Sequence, residues 1–204
     1  MVRMILFFAF VAAISVATFA GLLGGQFASR FAKEPQQQAV EGEGVVLIGG
    51  PFTLTDQRGN TVTEADLRGH WSILYFGYTY CPDVCPVALQ NVTLALEKLG
   101  SRANRVVPYF ISIDPWRDTQ EVMAEYAAYF HPSLLALTGT PAQVAKAAAS
   151  FRVYYSPTSR PETNDYTVDH TSILYLMAPD GSYVTHFSHA TTVEEIATRL
   201  AEVL

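Results

Sequence analysis

Both cysteines of the chain fall within ten residues, Gly77-Tyr78-Thr79-Tyr80-Cys81-Pro82-Asp83-Val84-Cys85-Pro86, and the sequence on either side leaves that stretch little choice of structure. Before it, Trp71-Ser72-Ile73-Leu74-Tyr75-Phe76 is a nearly continuous apolar run, the pattern of a strand buried on both faces. After it, Leu89, Val92, Leu96 and Leu99 recur at helical spacing, and Gly100 supplies a stop. Pro86 suits the first turn of a helix, which puts Cys85 at the helix N-terminus and Cys81 in the loop ahead of it. The partial positive charge of a helix start favours thiolate over thiol, making sulfur a better nucleophile and metal ligand. Two thiolates about one helical turn apart can grip a soft metal ion or close a disulfide. The bland alternative, two inert packed cysteines, fits poorly with a Pro-Asp-Val loop between them.

Around this unit the chain alternates strand and helix. Phe52-Thr53-Leu54-Thr55 and Thr61-Val62-Thr63 form a predicted hairpin, and Glu64–Gly69 a short helical turn. Arg105–Ile113 is a second apolar strand, in which Pro108 means either a late start or a section at an edge. Asp118-Thr119-Gln120-Glu121 reads as a capped helix start, with Val122, Tyr126 and Tyr129 on one face. A short strand at Leu134–Leu137 precedes a helix capped at Thr140-Pro141-Ala142-Gln143. Phe151–Tyr155 is a further predicted strand, followed by a polar loop from Ser156 to Asp165. Ile173–Met177 and Tyr183–Phe187 form a hairpin about Ala178-Pro179-Asp180-Gly181, and Thr192 opens a last helix that buries Ile196, Leu200 and Val203. This order predicts an α/β sheet with helices on both faces.

The first residues follow other rules. Met4 to Phe27 carries no charge and is long enough to cross a bilayer, for which about 20 apolar residues suffice. A cleaved signal peptide is the rival reading, since Thr18-Phe19-Ala20 resembles a cleavage site, but the run exceeds the roughly 7–15 residues of such a signal. The expectation is therefore an anchor over residues 1–28, a polar Pro- and Gly-containing tether over 29–48, and a folded domain over 49–204. A net charge of −6 without a basic run argues against nucleic acid as a partner. Two cysteines also rule out a disulfide framework, leaving redox, regulatory or metal-binding use.

Four collinear motifs give the chain a relative. Tyr75-Phe76-Gly77-Tyr78-Thr79-Tyr80-Cys81-Pro82-Asp83-Val84-Cys85-Pro86, Ser112-Ile113-Asp114-Pro115-Trp116-Arg117-Asp118-Thr119, Leu137-Thr138-Gly139-Thr140-Pro141 and Asp165-Tyr166-Thr167-Val168-Asp169-His170-Thr171 together resemble the Sco/SenC family of copper-binding proteins. The resemblance implies a thioredoxin-like fold, here with an N-terminal hairpin and a single N-terminal transmembrane helix. It also implies a globular domain outside the cytoplasmic membrane, facing the periplasm or the exterior. The implied partner is the cytochrome c oxidase subunit that carries the CuA centre, and the implied work is copper delivery.

Ligand chemistry points the same way. Soft thiolates select Cu(I), zinc or iron–sulfur clusters, but an ordinary cluster needs four cysteines and structural zinc normally takes four protein ligands, against two cysteines here. Two cysteines and a histidine put copper, as Cu(I) or Cu(II), ahead of zinc. Of five histidines, His170 is the one in a family motif, and the resemblance carries the third ligand role onto it, beside Cys81 and Cys85. His186 and His189 read as a solvated strand edge, and His70 and His131 as exposed turn residues. Asp169 either orients His170 or, lying on the opposite side of a strand, bonds elsewhere. Asp83 either tunes the cysteines or faces water. The Asp114–Asp118 turn serves partner docking or simply caps a helix. A competing use of Cys81 and Cys85 is thiol–disulfide exchange that reduces a target's cysteines, although the usual redox motif has one residue fewer between them.

Overall fold

The computed structural model describes residues 47–158 and 166–204. The apolar run before the cysteines is β3 (Trp71–Gly77), which lies inside a seven-stranded mixed sheet with β1 (Thr53–Asp56), β2 (Thr61–Thr63), β4 (Val106–Ser112), β5 (Leu135–Thr138), β8 (Ile173–Met177) and β9 (Tyr183–Ser188). The strand order is β2-β1-β5-β4-β3-β8-β9. β3 runs parallel to β4 in register from Trp71↔Val106 to Gly77↔Ser112, and antiparallel to β8. Parallel neighbours need a crossover, supplied between β3 and β4 by α1 (Val84–Leu99) and between β4 and β5 by α2 (Gln120–Ala127). α3 (Pro141–Ser150) and α4 (Val193–Val203) follow β5 and β9. A separate two-stranded ribbon pairs β6 (Tyr155–Pro157) with β7 (Val168–His170).

Alternation along β3 shows why its sequence is apolar throughout. Tyr75 faces α1, its hydroxyl reaching the Cys85 sulfur, while the next residue, Phe76, packs on Phe151 at the end of α3. Both rings are fully buried, as a strand covered on both faces requires. Phe110, the register partner of Tyr75, packs on Tyr126 of α2, so helices cover both faces as expected. Every strand and helix anticipated ahead of Phe151 is present.

Four expectations change in detail. β4 does not start late: it runs through Pro108, whose partner is Ile73. Its pairing with β5 begins only at Tyr109↔Leu135, so Pro108 has a strand on one side only, where the missing N–H is tolerated. Phe151–Tyr154 is not strand: Phe151 ends α3 and buries its ring, and Arg152 turns the chain with a φ of 57°. α2 is capped by Thr119, not Asp118, and its inner face is Met123, Tyr126 and Ala127, with Tyr129 exposed. The polar loop predicted from Ser156 starts later, because Ser156 and Pro157 belong to β6. Among the described residues no helix is long and apolar enough to cross a membrane. The predicted anchor, most of the tether and residues 159–165 of the polar loop lie outside those residues.

Candidate functional site

α1 begins at Val84, so Cys85 occupies its first turn and Cys81 the loop before it. Cys85 is fully buried and Cys81 nearly so, and both are free thiols. The Cys81 thiol is held down to about 5, chiefly because the Cys85 thiol donates to its sulfur. The backbone N–H groups of Asp83 and Cys85, exposed by the helix start, also point at it, and the neighbouring His170 acts in the same direction. Cys85 is pushed up instead, since its proton is the shared one and burial penalises its anion. The shared proton thus sits with Cys85, and Cys81, which lines the cleft, carries the thiolate character of the pair.

Room for the buried sulfur comes from Gly77. A Cβ there would stand 2.8 Å from Cys85 Sγ and 2.9 Å from the Phe110 ring, closer than packed atoms approach. Tyr75 Oη lies 3.6 Å from the same sulfur.

His170 arrives from the ribbon. Its Nε2 lies 3.7 Å from Cys85 Sγ and 3.2 Å from Ser172 Oγ. Nδ1 is 3.1 Å from the Val168 carbonyl; a proton on Nδ1 donates there and leaves the Nε2 lone pair turned towards the sulfur. The imidazole stands edge-on to two rings, with centroids 6.3 Å from Tyr75 and 5.8 Å from Tyr78. Cys81, Asp83, Tyr78, Asp169 and His170 line one open cleft of about 320 Å³. Asp83 precedes α1 and is exposed, and its side chain caps nothing; its contribution to the sulfur is its backbone N–H. Asp169 is exposed and pairs with Ser156, and the group that orients the imidazole is the Val168 carbonyl. Among the described residues no three His, Cys, Asp or Glu side chains are gathered as a ready metal cage. The two sulfurs and the imidazole meet pairwise, through Cys85.

Three of the other histidines have side-chain partners elsewhere. His186 Nδ1 is 2.7 Å from Tyr183 Oη, His131 Nδ1 is 2.7 Å from Ser133 Oγ, and His70 Nε2 is 3.0 Å from Tyr109 Oη. His70 is partly buried, and desolvation lowers its pKa.

Sequence reasoning missed the interior role of the Asp114–Asp118 turn. Asp118 is completely buried, and its carboxylate accepts from Thr79 Oγ1 at 2.6 Å, Ser112 Oγ at 2.6 Å and the Thr79 backbone N–H. It therefore pins the loop two residues ahead of Cys81. Asp114 is also buried, beside Arg117. The available signal was the run of charge directly after an apolar strand, at the end of a parallel sheet where functional loops gather.

The profile of the SCO1/SenC family matches residues 40–204. The human protein SCO1 homolog, mitochondrial, is 41% identical over 196 residues, covering 93% of this chain; the chain spans 64% of that protein's length. The copper-bound structure of Bradyrhizobium japonicum ScoI superposes with a TM-score of 0.72 at 45% identity, over 77% of this chain and 99% of that one. BsSco, described as a member of the Sco family of cytochrome c oxidase assembly proteins with a disulfide switch, gives a TM-score of 0.61 at 25% identity, over 76% of this chain and 92% of that one. With the family profile spanning all the described residues, this chain belongs to the SCO1/SenC family.

Proposed function

We propose that this protein is a membrane-tethered copper metallochaperone that takes copper on Cys81, Cys85 and His170 and passes it to an oxidase subunit to build a CuA centre. The observation that carries the reading is the approach of His170 Nε2 to Cys85 Sγ across the cleft that Cys81 also lines. Metal–sulfur and metal–nitrogen bonds of about 2.3 and 2.0 Å at a trigonal angle of about 120° separate the two donors by about 3.7 Å, so the existing pair spans one soft ion without rearrangement. Cys81, on the loop rather than the helix, is the ligand that closes onto the ion. Its thiolate is already formed, so capture releases little proton there. A three-ligand site open to the cleft lets an incoming donor attack before the first ligands leave, which suits transfer. Relatives that are bound to copper and described as oxidase assembly proteins support the cargo and the target.

In this reading residues 1–28 anchor the protein in the cytoplasmic membrane, 29–48 tether it, and the domain from residue 49 works on the periplasmic or outer side. Thiol–disulfide exchange is the second reading, favoured by the hydrogen bond that already joins the two sulfurs. The two readings combine if oxidation to the disulfide releases copper.

Reduced protein titrated with Cu(I) under anaerobic conditions tests this. One copper per chain is expected, with affinity falling sharply in Cys81→Ala, Cys85→Ala and His170→Ala. Binding that ignores His170 would leave the redox reading in place of the chaperone.

A further inference from the structure

Cys85 and His170 stand on parts of the fold that share no strand pairing. The cysteines follow β3 of the main sheet, whereas β7 pairs only with β6. Thr171 and Ser172 join β7 to β8, which pairs with β3, but no sheet hydrogen bond holds β7 itself against the cysteine loop. Besides the contacts of the His170 ring itself, the two parts are joined through Arg117, whose side chain is 7% exposed and is salt-bridged to the buried Asp114. Its guanidinium carbon lies 3.6 Å from the centroid of the Tyr166 ring and 4.7 Å from that of Tyr80. Arg117 Nη1 donates to the Tyr166 carbonyl at 2.9 Å, and the Tyr166 hydroxyl donates to Asp114 at 2.6 Å. Tyr80 immediately precedes Cys81, and Tyr166 lies four residues ahead of His170. One buried planar cation thus touches the cysteine loop and the root of the histidine strand together.

We propose that Arg117, held in place by Asp114 and Tyr166, is a positioning residue that sets the approach of His170 to Cys85. The proposal rests on reading those two residues as partners in one metal site, but their metal-free geometry tests it separately. Arginine is required rather than lysine, because a point charge neither stacks on two rings nor directs an N–H at a fixed carbonyl while paired to Asp114.

The test uses the full chain in detergent micelles with 13C-labelled histidine rings, the His170 signal being assigned with His170→Gln. In the reduced, metal-free protein the His170 ring shows nuclear Overhauser contacts to the Tyr75 and Tyr78 rings. Arg117→Lys and Tyr166→Phe, the latter losing only a hydroxyl, are expected to weaken those contacts and lower Cu(I) affinity about 10- to 100-fold. Ile196→Val, a core change on α4, controls for lost stability and leaves both readouts alone. Unchanged ring contacts together with Cu(I) affinity within about twofold of wild type in both variants would overturn the proposal. Should wild-type copper binding prove indifferent to His170→Ala, the copper reading fails, and the ring contacts alone decide whether Arg117 positions His170.

Discussion

Asp118 shows how a single buried carboxylate can hold a reactive loop and cost stability at the same time. Burial pushes its pKa from 3.8 up to about 6, although Ser112 and Thr79 donate to it and oppose the shift. A folded-state value above the unfolded one means that the native state holds the proton more tightly. The favourable contribution is therefore complete below the unfolded value and is lost as pH rises through about 6, an effect of about 3 kcal/mol. Asp118→Asn carries no titration, so urea unfolding should show the variant gaining about 2 kcal/mol relative to wild type between pH 4 and pH 7. A constant difference between the two proteins across that range would show that Asp118 ionises as freely folded as unfolded. The variant should also loosen the cysteine loop, since an amide NH2 group replaces one of the two oxygens that accept from Thr79 and Ser112. None of this was legible in the Asp118-Thr119-Gln120-Glu121 string, which reads equally well as a helix cap. Local pattern sees a short polar side chain before a helix, and burial depends on what packs over it.

At the level of elements, the site joins a rigid half to a lightly held one. β3 has a strand on either side, and α1 packs on α4. The ribbon that brings His170 has three residues in each strand and lies outside the main sheet. Opening such a ribbon breaks few hydrogen bonds, whereas opening β3 disrupts the core. Hydrogen exchange should therefore find the Thr171 amide, bonded to the Tyr154 carbonyl, exchanging about 100-fold faster or more than that of Tyr75. Copper loading should slow Thr171 and leave Tyr75 unaffected; equal protection of both amides before loading would mean that the ribbon belongs to the core. The sequence showed the rigid half clearly because continuous apolar runs and a Pro-capped helix are local signals. It gave no sign of β6 and β7, since three-residue strands carry no periodicity and are recognised only by pairing with each other.

For the whole molecule, metal capture is a stability event. A ligand that binds only the folded dithiol raises the unfolding free energy, and at a hundredfold excess over its Kd the gain is about 2.7 kcal/mol. For a chain of this length that corresponds to a melting shift of about 5–10 °C. Reduced protein with Cu(I) should show the shift by calorimetry, and the Cys81–Cys85 disulfide form should not. Equal shifts in both redox states would exclude oxidation as a release switch. The coupling of the two sulfurs, with the Cys85 thiol donating to Cys81, is what makes such a redox switch open to test.

The sequence by itself determined the alternation of strand and helix, the placing of Cys85 in the first turn of α1, and through four ordered motifs the family and its histidine. Those properties arise from the periodicity of burial and from backbone preferences, which neighbouring residues already express. Only the tertiary structure decided that His170 lies 3.7 Å from Cys85 across 85 residues, that Val168 rather than Asp169 orients its ring, and that Asp114, Arg117 and Asp118 turn inward. Each of these depends on atoms distant in sequence excluding water from the same small volume, and that is a property of packing rather than of any segment read alone.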